Sequence, residues 1–312
     1  MTITKIAIDN YMKHCVLCPR KCGANRFGGE TGFCGQGADL TAARAALHFW
    51  EEPCISGAYG EACPGSGTVF FTGCNLKCVF CQNHQIAVGT WGKPIGIHRL
   101  SEIFLELQEK GAANINLVTG AHFIPQITLA LQEAKSMGLA IPVVYNSSGY
   151  EEVASLKLLE GLVDIYLPDL KYCNSDLSAR YSLAPDYFEK ATAALSEMYR
   201  QVGPAIIDTA SGLMRQGMLV RHLLLPGQSR DSKRILRYLH DTYGNNIYIS
   251  IMNQYTPLPH AKEYPELSRK ITEAEYEKII RFAENIGIEN AFIQEGETAD
   301  ESFIPAFDGE GL

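Results

Sequence analysis

Between Thr68 and Gln294, short unbroken apolar runs alternate with longer amphipathic stretches, and this alternation constrains the fold most. The runs are Thr68–Thr72, Ile115–Thr119, Ile141–Asn146, Val163–Asp169, Met218–Leu225, Ile247–Met252 and Ala291–Gln294. Helical patterns lie between them near 100–110, 124–138, 150–160, 186–202, 232–243 and 272–286. Runs that are apolar throughout, not at every second residue, suit strands buried on both faces. Repeated strand-then-helix units predict an α/β protein, a partial (β/α)6-type parallel barrel. Such folds gather their chemistry at the C-terminal ends of the strands.

The first 66 residues read differently. Residues 11–37 are rich in Cys, Gly and basic side chains and show neither a helical nor a strand period. They predict a small N-terminal Cys-rich module tied by a metal. Residues 40–50 suggest a short helix. Residues 51–67 carry Pro53, Gly57, Gly60, Pro64 and Gly65 and read as a connector. The expected division is 1–66 for module and connector, and 67–312 for the barrel. The net charge of −8 comes without any Lys/Arg cluster, which disfavours a nucleic-acid surface. No signal-peptide pattern opens the chain and no run approaches 18 apolar residues, so no membrane segment and a cytoplasmic location are expected. Thiols there are usually reduced, which turns ten cysteines, nine of them between Cys15 and Cys81, toward metal binding or catalysis.

The strand Gly67–Thr72 runs into Gly73-Cys74-Asn-Leu-Lys-Cys78-Val-Phe80-Cys81, a C-x3-C-x2-C string. Three thiolates from one loop hold three irons of a [4Fe–4S] cubane and leave the fourth without a protein ligand. A chelating amino acid fits that vacancy through its amine and carboxylate. S-adenosylmethionine bound so places its sulfonium beside the cluster. One electron then cleaves the S–C5′ bond, and the 5′-deoxyadenosyl radical formed abstracts a substrate hydrogen. The competing reading is a zinc loop, but zinc prefers four ligands in paired C-x2-C spacing.

With these residues the chain resembles the radical S-adenosylmethionine proteins, in particular the branch of the pyruvate formate-lyase activating enzymes. The resemblance runs from about Cys15 to Gln294. It includes Gln82-Asn83, Val118–His122, Asn146–Tyr150, Asp169-Leu170-Lys171 and Arg221–Gly227. The N-terminal Gly-Phe-Cys34-Gly is similar to a subgroup of that branch with a four-cysteine module. The resemblance implies an oxidoreductase of anaerobic chemistry with a [4Fe–4S] cluster and S-adenosylmethionine. It also implies an electron donor such as flavodoxin or ferredoxin, and a glycyl radical enzyme or peptide as substrate. Radical modification of another peptide or a small molecule is the alternative. Readings of another class are an iron–sulfur electron carrier and a zinc-bound interaction module.

The metal ligands are then Cys74, Cys78 and Cys81, with Phe80 and Asn83 beside them as cofactor contacts. Where the activating enzymes have a Gly-Gly-Glu turn that meets the methionine amine, this chain reads Gly120-Ala121-His122. Backbone groups of Thr119 and Gly120 remain for the amine. His122 becomes a catalytic candidate, because histidine is the commonest proton-transfer residue, set against a plain strand-end polar contact. Asn146 and Ser147 suit the ribose hydroxyls or the methionine carboxylate, or simply a turn. By resemblance an Asp at the position of Asn146 helps hold a monovalent cation, and Asn lacks that charge. Asp169 and Lys171 lie two apart and point the same way. Lys171 suits the methionine carboxylate and Asp169 would orient it; the bland reading is a surface ion pair. Arg221 and His222 occupy opposite faces of one strand, both are cofactor candidates, and the resemblance favours Arg221 as the inward one. Met252–Tyr255 is a candidate substrate or adenine wall. Cys173, just past Lys171, is a second catalytic candidate. Cys15, Cys18, Cys22 and Cys34 suit a second metal, and zinc and an auxiliary iron–sulfur cluster fit equally. Cys54 or Cys63 could replace Cys34 there.

Overall fold

The computed structural model describes residues 5–58, 60, 63–294 and 305–312. Its strands are β1 (Thr41–His48), β2 (Ser66–Phe71), β3 (Lys93–Pro94), β4 (Ile115–Val118), β5 (Val143–Ser147), β6 (Ile165–Pro168), β7 (Ile206–Ile207), β8 (Met214–Leu223), β9 (Tyr248–Met252) and β10 (Ala291–Ile293). The helices are α1 (Lys5–Lys13), α2 (Pro53–Ser56), α3 (His84–Ala87), α4 (Ile97–Glu109), α5 (Ile124–Met137), α6 (Val153–Leu156), α7 (Ser175–Ser182), α8 (Tyr187–Val202), α9 (Ser229–Tyr243) and α10 (Glu273–Asn285).

One sheet carries the order β10-β9-β8-β6-β5-β4-β2-β1-β3, with β7 paired to β8. β2, β4, β5, β6, β8, β9 and β10 run parallel, and β1 lies antiparallel to β2. Each expected apolar run is one of these parallel strands. The expected six-unit barrel therefore has a seventh, three-residue strand at its edge. β2, β4, β5 and β6 are buried at every residue, which is why their sequences do not alternate. Local signals set the helix ends. α5 carries Pro125 in its first turn and stops at Gly138, whose φ of +111° takes the left-handed cap. α10 opens on a Thr272–Glu275 capping box. Leu100, Ile103, Phe104 and Leu107 of α4 and Ile127, Leu131 and Ala134 of α5 join the main core.

The helix expected over 40–50 is instead β1. Its alanines favour helix in isolation, but the ladder overrides them: Ala45 pairs with Val69 and Leu47 with Gly67. The C-terminal residues grip the same strand, with Gly309 N–H donating to Ala43 O and Ala45 N–H to Glu310 O. The boundary expected at residue 66 thus cuts through the sheet, because β1 belongs to it. Among the described residues, no helix is long and apolar enough to cross a membrane.

Candidate active site

A cavity of about 290 Å³ opens at the C-terminal ends of the parallel strands. It touches Phe71 of β2, Val118 of β4, Asn146 of β5, Arg221 of β8 and Met252 of β9, so the sheet curls around it as a partial barrel. Cys74, Cys78 and Cys81 line it together with Phe80 and Asn83. Their loop leaves β2 at Gly73, where φ is +85° and a Cβ would lie 2.6 Å from the Cys34 carbonyl oxygen. Only glycine fits there. Burial pushes all three thiols up, Cys74 to about 11, and the Lys171 ammonium pulls all three down. Donors already face the sulfurs: Leu76 N–H to Cys74 Sγ at 3.4 Å, and Ser182 Oγ to Cys78 Sγ at 2.9 Å. Phe80 is held edge-on between Tyr172 and Tyr255.

An ionic network lines the same cavity. Lys171 Nζ meets Asp169 Oδ2 at 2.5 Å. Arg221 donates from Nε to Asp169 Oδ1 (3.3 Å), from one terminal nitrogen to Glu51 Oε2 (3.0 Å) and from the other to Asn146 Oδ1 (2.6 Å). Burial would raise the Asp169 carboxyl, but Lys171 and Arg221 outweigh it and hold it below its usual range. Burial would likewise lower Lys171, and Asp169 outweighs that. Both groups are therefore charged at neutral pH. Gly149, at φ +76°, lets the Asn146–Tyr150 turn press on this network; a Cβ there would lie 2.2 Å from Asp169 O.

Arg221 is the inward residue of its pair. His222 is the correction: it is 2 % exposed on the opposite face, its Nδ1 hydrogen-bonded to Leu170 O at 2.8 Å. Burial pushes it down to about 4, so it stays neutral and away from the cavity. His122 is likewise outside. It is fully buried, its Nε2 bonded to Thr72 O at 2.7 Å, and burial with Arg26 nearby pushes it down to about 3. A histidine that cannot charge and does not reach the cavity is a poor proton carrier. Gly120 is packed against Ile127, Tyr145 and Phe71, off the cavity wall. Thr119 does line the cavity, and its φ of +62° is a strained conformation for a β-branched residue. Cys173 lies off the cavity and offers its N–H to Asp231 Oδ2. Ser147, Met252 and Gln254 line it; Asn253 and Tyr255 do not.

Two residues escaped the sequence reading. Glu51, from the supposed connector, is 8 % exposed on the cavity floor and accepts from Arg221, Asn116 and Asn146. Asn116 is fully buried in β4, and a polar residue inside Ile115-Asn-Leu-Val118 was the available signal.

Residues 68–239 match the Radical SAM superfamily. The chain belongs to that superfamily. It is 30 % identical over 288 residues to the uncharacterized protein MJ0674 of Methanocaldococcus jannaschii, covering 90 % of this chain and 77 % of the relative. Two solved structures are similar at low identity. SuiB of Streptococcus suis, bound to precursor peptide SuiA, aligns with a TM-score of 0.49 at 11 % identity, over 72 % of this chain and 47 % of SuiB. HydG, a maturase of the [FeFe]-hydrogenase, aligns with a TM-score of 0.46 at 13 % identity, over 76 % of this chain and 54 % of HydG. The chain thus spans about half the length of these two structures.

Membership in the radical SAM superfamily implies a [4Fe–4S] cluster and S-adenosylmethionine. Among the described residues no three Cys, His, Asp or Glu side chains are drawn up at metal-ligand spacing. The donor set fits all the same: three thiols of one loop share one cavity with sulfur-directed donors and a cation.

The Asn146–Glu151 turn also holds a buried carboxyl. Glu151 is 2 % exposed and burial pushes it up to about 8, against hydrogen bonds from Ser147 and Tyr145. Its unfolded counterpart ionises near 4.3. Folding stability should therefore fall as pH rises from about 4.3 to about 8, then level off. Glu151→Gln should remove most of that slope, so its Tm advantage grows through the window. Thermal melts at both ends check this; a pH-independent difference would contradict it.

Proposed function

We propose that this protein is a radical S-adenosylmethionine oxidoreductase of the pyruvate formate-lyase activating-enzyme type. The supporting observation is that Cys74, Cys78 and Cys81 share one cavity with the Asp169–Lys171–Arg221–Asn146 network. Bound there, cluster and cofactor supply a 5′-deoxyadenosyl radical that takes hydrogen from the substrate. The protein's part is to hold and orient. Lys171 offers a point charge for the methionine carboxylate, and Asp169 fixes that ammonium. Asn146 and Ser147 offer hydrogen bonds to the ribose hydroxyls, and Phe80 walls the cavity beside the cysteine loop. Such electrostatic preorganisation costs no rearrangement during reaction.

The substrate in this reading is a glycine of a glycyl radical enzyme, presented on a flexible loop, with flavodoxin or ferredoxin as electron donor. The four-cysteine module is read as a second metal site. Cys22 and Cys34 sulfurs both lie within 3.4 Å of one point beside Gly32, and Cys15 and Cys18 interact electrostatically with the same set. Cys54 is buried with Ile55, Val144 and Ile165, and Cys63 Sγ bonds Ser56 O, so neither displaces Cys34.

The test is anaerobic reconstitution with iron, sulfide and a strong reductant. S-adenosylmethionine should yield 5′-deoxyadenosine, and a substrate peptide deuterated at glycine should pass deuterium into it. Protein with a full cluster that never cleaves the cofactor would overturn the proposal. Cleavage with no label from any glycine would restrict it to another peptide or a small molecule.

A further inference from the structure

Arg20 lies between Cys18 and Cys22, in a tight knuckle closed by Lys21 N–H to Cys18 O and Gly23 N–H to Cys15 O. Its side chain leaves the module and reaches the radical-generating loop. Nε donates to Asn75 O at 2.8 Å, one residue after Cys74. The two terminal nitrogens donate to Leu183 O at 2.5 Å and Ser182 O at 3.2 Å, at the end of α7. The guanidinium is stacked 4.0 Å from the Phe33 ring and 5.1 Å from that of Tyr150. Asn75 in turn donates to Tyr150 O at 2.6 Å. One planar fork thus donates to three carbonyls on two separate segments, a task that suits arginine and not lysine.

Ser182 is what this grip holds. It is fully buried, and its hydroxyl donates to Cys78 Sγ at 2.9 Å. The Tyr172 hydroxyl lies 2.7 Å behind it, so a donor chain runs Tyr172, Ser182, Cys78. The cysteine loop is tied to the same end of α7 by Val79 N–H to Tyr181 O at 2.9 Å. Hydrogen bonds to ligand sulfurs are among the levers that set a cluster's reduction potential. They favour the reduced form, because it carries more negative charge for the donor to meet.

We propose that Arg20 is a positioning residue of the radical centre: it fastens the four-cysteine module to α7 and the cysteine loop, and so keeps the Ser182 hydroxyl on Cys78. The module is then a clamp that sets how readily the cluster accepts an electron. The proposal rests on the reading that Cys78 is a cluster ligand.

The experiment is a mediated redox titration of the reconstituted full-length protein, followed by the electron paramagnetic resonance signal of the reduced cluster. Ser182→Ala should make reduction less favourable by about tenfold, which is about 59 mV for a one-electron couple. Arg20→Gln should lower the potential in the same direction. The double variant should lie no lower than Ser182→Ala alone, since both changes break one chain. Arg20→Lys keeps the charge and much of the stacking but loses the fork, and serves in the cycle if Arg20→Gln does not assemble. An unchanged potential in Ser182→Ala overturns the proposal, as does an unchanged potential in an assembled Arg20→Gln or Arg20→Lys variant, and so do shifts that add in full. Failure of the underlying reading looks different: wild-type protein takes up no cluster, or Cys78→Ala keeps it.

Discussion

Cys78→Ala is expected to lower 5′-deoxyadenosine formation to background. A cubane held by three thiolates has no spare protein ligand, and the two remaining cysteines cannot keep a site-differentiated cluster. The middle cysteine also accepts a hydrogen bond from the Ser182 hydroxyl, at 2.9 Å. The iron assigned to the cavity should be lost in step with turnover. If the proposed second site at Cys15, Cys18, Cys22 and Cys34 binds metal, that metal should stay, because those thiols belong to a separate loop of the chain. Cys173→Ala supplies the control. That thiol is off the cavity, so cluster and product should both persist. Metal analysis with product quantification after anaerobic purification decides the matter. Turnover in Cys78→Ala, or its loss in Cys173→Ala, would break the ligand assignment.

The parallel strands were legible because burial on both faces leaves an unbroken apolar run, and the shortness of each run separates it from a buried helix. β1 was not. Thr41-Ala-Ala-Arg-Ala-Ala-Leu-His48 has strong helix formers, and what makes it a strand is a partner, β2, 25 residues on in register, with the chain's last residues beyond. Local propensity cannot see such a partner. The same limit hid Glu51. A Glu-Glu pair after Phe49-Trp50 in a Pro- and Gly-rich stretch looks solvated; only the curl of the sheet brings it under Arg221.

Spacing within one loop or strand survived best. The cysteine string and the Asp169–Lys171 pair need only local geometry, and both face the cavity. The face of a strand did not follow so easily. Arg221 and His222 differ by one residue and so by a whole side of the sheet. His122 failed for another reason. Its turn leaves β4 toward the module, where Arg26 donates to its carbonyl at 2.8 Å, and the ring packs at 4.3 Å from Phe123. A chemically capable side chain in the right motif position is silent when packing turns it away.

Arg221→Met should cost about 3 kcal/mol of folding stability, the lower end of what breaking a buried ion pair costs. The lower end applies because the Arg221 side chain keeps 16 % exposure and Asp169 21 %. The loss comes less from the missing attraction than from what stays behind. Among the described residues, Glu51, 8 % exposed, would retain Asn116 and Asn146 as side-chain partners, and Asp169 would retain Lys171. Methionine fills similar volume, so little of the effect should be a cavity. The sign of the compensation is then fixed. Adding Glu51→Gln removes one stranded charge and should recover part of the loss, although Glu51→Gln alone in the wild-type background is destabilising. Denaturant unfolding of the four proteins gives the coupling energy directly. A double variant no more stable than Arg221→Met would mean that the Glu51 charge was never held by Arg221, and the floor of the cavity would need another account.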